Sequence, residues 1–378
     1  MAGTQAALYE QLATADLELS WSEDELPQAE RTKHMHGLHP YLGKFVPQLV
    51  EAFLNRLWNT EGSVFDPFSG SGTTLVEANT FGARAIGCDV SAFNCLLARV
   101  KVGSYDRGAL ERALLETLET SHETTNDVGG GEPSEWLRAW YAPTALRELL
   151  AYRAAAECLE EPFRDVAFVI LSRSARSARL TTHFDLDFPR APVTTSYYCH
   201  KHRRSCRPVG EAGKFLRRYT ADTLARIGAY AGLRAGVSAV VLHADARTVD
   251  VPERPDGVLT SPPYPGLIDY HEQHRYAYEL LGLVDRRLEE IGPAVAGTSR
   301  AALRAYQDAM VAVFRNACLQ TTPGAPVVIV VNDSRDLYPE ILRRSGLVLE
   351  DELVRHVNRR TGRRAGEFFE SVLVCRVG

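Results

Sequence analysis

Ser63-Val64-Phe65-Asp66-Pro67-Phe68-Ser69-Gly70-Ser71-Gly72-Thr73-Thr74 reads as a short strand, an acidic tip, a glycine loop and the start of a helix. The helix continues through Leu75-Val76-Glu77-Ala78-Asn79, and Ala83-Arg84-Ala85-Ile86-Gly87-Cys88-Asp89-Val90 follows as a second short strand with its own acidic tip. Strand, tight turn, helix and strand in succession open an α/β sheet. Asp89 lies 23 residues after Asp66. In nucleotide-binding α/β folds an acid about 20 residues beyond the glycine turn holds ribose hydroxyls. The loop is neither G-x-G-x-x-G nor the phosphate-cradling G-x-x-x-x-G-K. A ligand carrying adenosine and a carboxylate, seated at a helix N-terminus, fits it better than a phosphate does.

Working outward, the α/β pattern resumes at Ala239-Val240-Val241-Leu242, at Gly257 to Thr260 and at Pro326-Val327-Val328-Ile329-Val330-Val331. The chain closes on an expected hairpin, Glu350 to Val357 and Phe368 to Val377, turning around Thr361-Gly362-Arg363. Upstream, Pro47 to Trp58 has Leu49, Val50, Phe53, Leu54 and Leu57 on one helical stripe. The pattern predicts a mostly parallel sheet with an antiparallel C-terminal hairpin and helices on both faces. Residues 31–104 and 236–378 form that domain. Residues 1–30 are a polar, acidic arm, and residues 105–235 are a mostly helical insertion. The insertion is interrupted by the loop Asn126-Asp127-Val128-Gly129-Gly130-Gly131 and by a strand-poor stretch, 181–213. Asp66, Asp89, Asp245 and Ser261 all fall just beyond predicted strand ends. Ligands in open α/β sheets bind outside the carboxyl ends of the strands, so these four belong to one site.

Thr260-Ser261-Pro262-Pro263-Tyr264 supplies the chemistry. Proline fixes φ, removes a backbone donor and pushes the preceding residue into an extended shape. Ser261 and the neighbouring carbonyls are thereby held as outward-facing acceptors, with the Tyr264 ring beside them. That suits a planar group with an exocyclic amine, whose two hydrogens need acceptors and whose ring needs a flat partner.

The composition, 45% hydrophobic and 24% charged over 378 residues, is that of a soluble globular chain. No apolar run approaches the ~20 residues that span a membrane, and Met1 to Leu12 lacks a secretory pattern. A cytoplasmic location is expected. Seven scattered cysteines argue against a disulfide framework. The net charge of −5 does not favour nucleic acid, so local clustering must supply a positive face. Between Cys199 and Arg218 seven basic residues, Lys201, Arg203, Arg204, Arg207, Lys214, Arg217 and Arg218, stand against one glutamate, with Tyr197, Tyr198 and Tyr219 alongside. Arg173, Arg176 and Arg179 share a helical face upstream. Basic residues interleaved with aromatics suit phosphate contacts and base stacking; a solvated face balancing acidic segments is the plainer alternative.

Asp66 to Thr74 and Thr260 to Tyr264 resemble the two signature motifs of the DNA amino-methyltransferases, which move methyl from S-adenosylmethionine to N4 of cytosine or N6 of adenine. His39-Pro40-Tyr41-Leu42-Gly43-Lys44-Phe45-Val46-Pro47 resembles the family segment that closes over the methionine end of the cofactor. The resemblance covers roughly 31–104 and 237–378. It implies a Rossmann-like methyltransferase fold and S-adenosyl-L-methionine as cofactor. Lys44, Phe45, Asp66, Pro67, Phe68, Ser69, Gly70, Ser71, Gly72, Thr73, Thr74, Asp89, Val90 and Asp245 would line the cofactor, with Asp89 on the ribose and Asp245 on the adenine amine. Ser261, Pro262, Pro263 and Tyr264 would hold the target base.

Double-stranded DNA is the expected partner, with the insertion as recognition region by its position alone. A cognate restriction endonuclease is a partner the resemblance allows. Base flipping follows for a duplex substrate. C5 methylation needs a cysteine nucleophile, and none stands beside the proline pair. Serine at 261 leans towards N4-cytosine; the aspartate form is commoner among N6-adenine enzymes and RNA guanine N2 enzymes. The rival readings are an N6-adenine enzyme, an RNA methyltransferase and a non-catalytic cofactor-binding protein. Asp269 and His271 are candidate proton acceptors. Cys199, His200, His202 and Cys206 are zinc-capable residues within eight positions, but their spacing matches no strong finger pattern. They are read as a basic loop with no metal.

Overall fold

The computed structural model describes residues 17, 19–125, 132–183, 185–187, 189–357 and 368–378. The Asn126 to Gly131 loop, the Thr361 to Arg363 turn and most of the N-terminal arm lie outside the described residues. Among the described residues the strands are β1 (Ser63–Asp66), β2 (Arg84–Asp89), β3 (Tyr197–Cys199), β4 (Arg204–Cys206), β5 (Ala239–His243), β6 (Val258–Thr260), β7 (Pro326–Val331), β8 (Leu347–His356) and β9 (Phe369–Val377). Seven form one sheet in the order β5-β2-β1-β6-β7-β9-β8. The first five run parallel, and β9 is antiparallel to both β7 and β8.

The sheet is the expected α/β Rossmann-like one, and its order follows from the strand sequences. β1, β6 and β7 are buried along their whole length, as strands covered on both faces must be. β8 sits at the edge, where most of its residues keep contact with solvent. Pro326 opens β7, where the missing N–H interrupts no ladder. Helix Arg300–Gln320, capped by Ser299, lays Tyr306, Met310, Val313, Phe314 and Ala317 against the sheet. There they join Phe65, Ile86, Val258, Ile329, Ile341 and Leu373 in one core. Pro47 opens the helix Pro47–Leu57, which buries Leu49, Val50, Phe53 and Leu54.

The chain divides into two compact units. One comprises residues up to 102, 233–269 and 286–378 and holds the sheet; the other comprises 103–232 and 270–285. The second unit is built from helices Arg107–Glu123, Glu135–Trp140, Pro143–Glu157, Phe163–Ala178, Gly213–Ala231 and Arg275–Leu281. Residues 270–285 follow the Ser-Pro-Pro-Tyr motif in sequence but cluster with these helices, burying Tyr276, Ala277 and Leu280. The stretch read as strand-poor carries the small β3–β4 hairpin. No helix among the described residues is long and apolar enough to cross a membrane.

At the lower end of the sheet, β1 and β6 are clamped together. The Asp256 carboxylate accepts from Ser63 N at 2.8 Å, Trp58 Nε1 donates to Ser63 O at 3.1 Å, and Phe65 N donates to Gly257 O at 2.9 Å. A Cβ on Gly257 would stand 2.5 Å from Trp58 Cζ2 and 2.7 Å from the Pro326 carbonyl oxygen. The backbone oxygen cannot step aside. Gly257→Ala should therefore cost about 1–3 kcal/mol, the usual range for overpacking, read as a lowered urea midpoint with an unchanged slope; an unaltered midpoint would show that the clamp has slack.

Candidate active site

The strand order reverses direction between β1 and β6, which makes their carboxyl ends the switch point of the sheet. Asp66 stands there, 1% exposed. Its Oδ1 accepts from Thr260 Oγ1 at 2.6 Å and from Phe68 N at 3.1 Å, and its Oδ2 accepts from Thr74 Oγ1 at 2.7 Å. One carboxylate thus joins the tip of β1, the tip of β6 and the start of helix Thr73–Phe81. Burial pushes its pKa up to about 6 against the opposing pull of those three donors.

The glycine loop turns tightly over β2. Gly70 and Gly72 have φ of 49° and 79°, conformations that cost an L-residue a steric clash. Ser69 N donates to Cys88 O at 3.0 Å, and Gly70 N donates to Asp89 Oδ2 at 2.9 Å. Gly87 permits this approach: a Cβ there would lie 2.8 Å from both Ser69 Cβ and Leu75 Cδ2. A glycine inside a strand marks such a close approach, and that signal was available in the sequence. Asp89 also accepts from Ser91 N at 2.8 Å and from Asn94 Nδ2 at 3.1 Å. Desolvation raises it to about 6, although these hydrogen bonds pull the other way.

Residues from other segments complete the loop's surroundings. Asn94 Nδ2 also reaches Tyr41 Oη at 3.1 Å, and the Tyr41 hydroxyl lies 3.1 Å from where a Gly70 Cβ would stand. The His39 to Pro47 segment therefore meets the glycine loop through Tyr41. Lys44 Nζ donates instead to His36 O at 2.6 Å, and Phe45 is buried. Lys101, fully buried, donates from Nζ to Ser71 O at 2.6 Å, and burial pushes its ammonium well below its usual range. Two buried polar atoms, Ser71 Oγ and Asn94 Oδ1, have no hydrogen-bond partner among the described residues. Helix Thr73–Phe81 begins at Gly72 with no side-chain cap, so its first N–H groups are left for another acceptor. Left-handed glycines, unpaired polar atoms and an uncapped helix start fit a polar ligand with an anionic end.

Ser261 follows β6 directly. Its Oγ donates to Val330 O of β7 at 3.1 Å, which commits its only hydrogen and leaves its lone pairs as acceptors. Pro263 O accepts from Tyr306 Oη at 3.0 Å, itself hydrogen-bonded to Tyr338 Oη. Tyr264 Oη donates to Glu370 Oε1 of β9 at 2.8 Å, and its ring lies 6.5 Å from that of Phe368. Asp245 sits beyond β5 at the same edge, but Arg247 takes both of its oxygens, at 2.6 to 2.9 Å. Val90 accepts at its carbonyl from His243 Nε2 at 3.0 Å.

Comparison with known proteins gives the family. The family described as DNA methylase matches residues 9–99. The chain is 36% identical to the type II methyltransferase M.MjaII of Methanocaldococcus jannaschii, over 92% of this chain and 81% of that one. It belongs to the DNA amino-methyltransferase family. Shorter similarities join it to the type II methyltransferase M.MvaI of Kocuria varians, 28% identical over 24% of this chain and 20% of that one. A tRNA (guanine(10)-N2)-dimethyltransferase of M. jannaschii is 38% identical over 19% of this chain and 20% of that one. This DNA methyltransferase uses S-adenosylmethionine as cofactor.

In the methyltransferase's helical unit the basic residues separate into two groups. Arg173 is buried, donates to Asp222 at 2.6 Å and to Thr223 at 3.1 Å, and lies 4.3 Å from the Tyr219 ring centroid. Arg176 pairs with Asp187. Arg179 is buried, donates to Leu186 O at 2.6 Å and stacks on Tyr276. These three, read from their spacing as candidate phosphate ligands, are tied to neighbouring groups instead, Arg173 and Arg179 in the interior and Arg176 half-buried. Lys201, Arg203, Arg204, Arg207, Lys214, Arg217 and Arg218 are all exposed. Lys201, Lys214 and Arg218 line a groove of about 460 Å³ with Phe215 and Tyr219 on its wall. His271, a candidate proton acceptor by sequence, belongs to this unit and is 1% exposed.

The Asp66 web makes a sharp expectation. Asp66→Ala leaves Thr74 Oγ1, Thr260 Oγ1 and the Phe68 N–H without their acceptor, at roughly 1–3 kcal/mol for each buried donor left unpaired. Denaturant unfolding should show a loss of more than about 2 kcal/mol; a loss inside the noise would mean that the three groups find other partners.

Proposed function

We propose that this methyltransferase modifies the exocyclic N4 of cytosine in duplex DNA, acting on a base turned out of the helix. The observation that carries the reading is the orientation of Ser261. Its hydrogen is spent on Val330 O, so its oxygen is left as an acceptor. S-adenosylmethionine supplies an electrophilic methyl group when bound. The target amine is a poor nucleophile because its lone pair is delocalised into the ring. Ser261 Oγ and the Pro262 carbonyl accept its two hydrogens, draw the nitrogen towards a tetrahedral shape and free that lone pair. Methyl transfer from the bound cofactor would form the N–C bond as the sulfonium S–C bond breaks, leaving a neutral thioether, and the released amine proton would pass to solvent. The chain's main contribution is orientation, which is worth many orders of magnitude when reactants are held in near-attack geometry. Tyr264, its ring held by the hydroxyl bond to Glu370, stacks on the base.

On the cofactor side we assign the cradle to Asp66 through Thr74, with Lys44, Phe45, Val90 and Asp245 around it and Asp89 on the ribose. Three of about four acceptor positions on Asp89 are occupied. A ribose with two hydroxyls therefore displaces the Asn94 amide from one of them. The exposed cluster from Lys201 to Arg218, with its aromatic-walled groove, takes the DNA backbone, and the helical unit that carries it reads the target sequence. Serine at 261, rather than the aspartate commoner among adenine enzymes of the family, supports cytosine. A cognate endonuclease in a restriction pair is consistent with this reading.

Mass spectrometry of nucleosides after transfer of labelled methyl to mixed-sequence duplex DNA should show N4-methyldeoxycytidine. N6-methyldeoxyadenosine would overturn the base assignment. Ser261→Ala should lower turnover by about two orders of magnitude or more, in line with losing a contact that strengthens in the transition state, while cofactor affinity stays within about twofold.

Asp89 adds a pH dependence. With its pKa at about 6 in the free protein, it is ionised and able to accept above that pH and takes a proton below it. Cofactor affinity should then fall as pH drops through 6, by up to about tenfold per unit. Calorimetric titration between pH 5 and 7.5 reads this directly. Asp89→Asn should be weak and flat across the range, and an equally steep profile in that variant would rule out the ribose contact.

A further inference from the structure

We propose that His183, Cys199, His202 and Cys206 form a tetrahedral zinc site that fixes the β3–β4 hairpin. One ligand atom from each of the four lies within 4.8 Å of the others. Cys199 Sγ is 3.6 Å from His183 Nδ1, and His202 Nδ1 is 3.4 Å from Cys206 Sγ. With Zn–S of about 2.3 Å and Zn–N of about 2.0–2.1 Å, tetrahedral angles place sulfur and nitrogen ligands about 3.6 Å apart. A thiol–imidazole hydrogen bond accounts for either pair taken alone. It does not account for the two pairs converging, with the His183 and His202 ring centroids 4.7 Å apart.

The hairpin explains how the four meet. Cys199 pairs with Arg204 and Cys206 with Tyr197 in antiparallel register. With side chains alternating along each strand, both thiols project from the same face. Cys199 is fully buried and Cys206 nearly so. His202 comes from the turn between the strands. His183 comes from the preceding loop, held over that face by its backbone N–H donating to Tyr197 Oη at 3.0 Å. The sequence reading placed His200 in the set. That residue is exposed and packs edge-on against Tyr198, on the other face of the hairpin. The corrected set is two sulfurs and two nitrogens, the donor mixture that selects zinc.

Two strands of three residues do not hold together on their own in water, so the hairpin needs a staple. Two thiolates balance the charge of Zn²⁺, and loading releases one proton from each thiol to solvent. Lys201 and Arg203 lie on the turn so fixed, Arg204 opens β4, and His183 and His202 also line the basic groove. The assignment stands independently of the DNA reading.

The test is metal analysis of the full-length protein, purified after growth with added zinc and dialysed against metal-free buffer. About one zinc per chain is expected. His183→Ala, Cys199→Ala and Cys206→Ala should each fall below roughly one-tenth of that, while His200→Ala keeps it in full. Because the cysteine variants can unfold, wild-type protein stripped with a chelator and loaded with Co²⁺ gives a second reading. It should show the intense visible bands and thiolate charge-transfer absorption of a tetrahedral S₂N₂ centre. Wild type that carries no zinc and takes up no cobalt would overturn the site, as would a Cys199–Cys206 disulfide in its place. Retention of zinc by His183→Ala together with its loss from His200→Ala would overturn the ligand set.

Discussion

The buried carboxylate of Asp66 is the constraint on which the rest of the site depends. It binds Thr260, 194 positions away, together with Thr74 and the Phe68 backbone. Two strands, a loop and a helix start meet on two oxygens. A charge held this deeply is costly, and its raised pKa expresses that cost. It persists because three donors converge on it. Those donors set the position of the glycine loop relative to the residue that follows Thr260, which is Ser261. The glycine loop and the Ser-Pro-Pro-Tyr segment are thereby registered to one another across the β1–β6 pairing.

The same economy of contact governs the outer residues. Gly87 has no side chain, so Ser69 and Leu75 settle on β2 and bring the Gly70 N–H to Asp89. Ser261 leans on the backbone of β7, and Tyr264 on Glu370 of β9. Strands β7 and β9 thus steady the Ser-Pro-Pro-Tyr segment. Catalysis by orientation needs such support, because small misplacements at the reacting atoms are expensive.

Much of this was legible beforehand. The parallel strands are continuous apolar runs, and their acidic or hydroxyl tips mark the edge where ligands bind. What could not be read was partnership. Arg173, Arg176 and Arg179 have the spacing of a basic face, yet Asp222, Asp187 and the Tyr219 and Tyr276 rings claim them. Spacing gives the face of a helix but not what packs on it. His200 is nearer to the cysteines in sequence than His183, but strand alternation turns it away and the Tyr197 hydroxyl draws His183 in. Lys101, Asn94 and Glu370 carried no motif at all.

The sequence alone determined the fold class, the order of its strands' tips and the two motifs that identify the chemistry. These depend on local rules: burial patterns, glycine's freedom and proline's stiffness act within a few residues. Tertiary structure decided which charges are ties and which face solvent. It also decided which hydroxyl hydrogen is already spent and which four side chains converge at the β3–β4 hairpin. Those outcomes depend on contacts between residues far apart in the chain, where a shift of an ångström separates a ligand from a bystander.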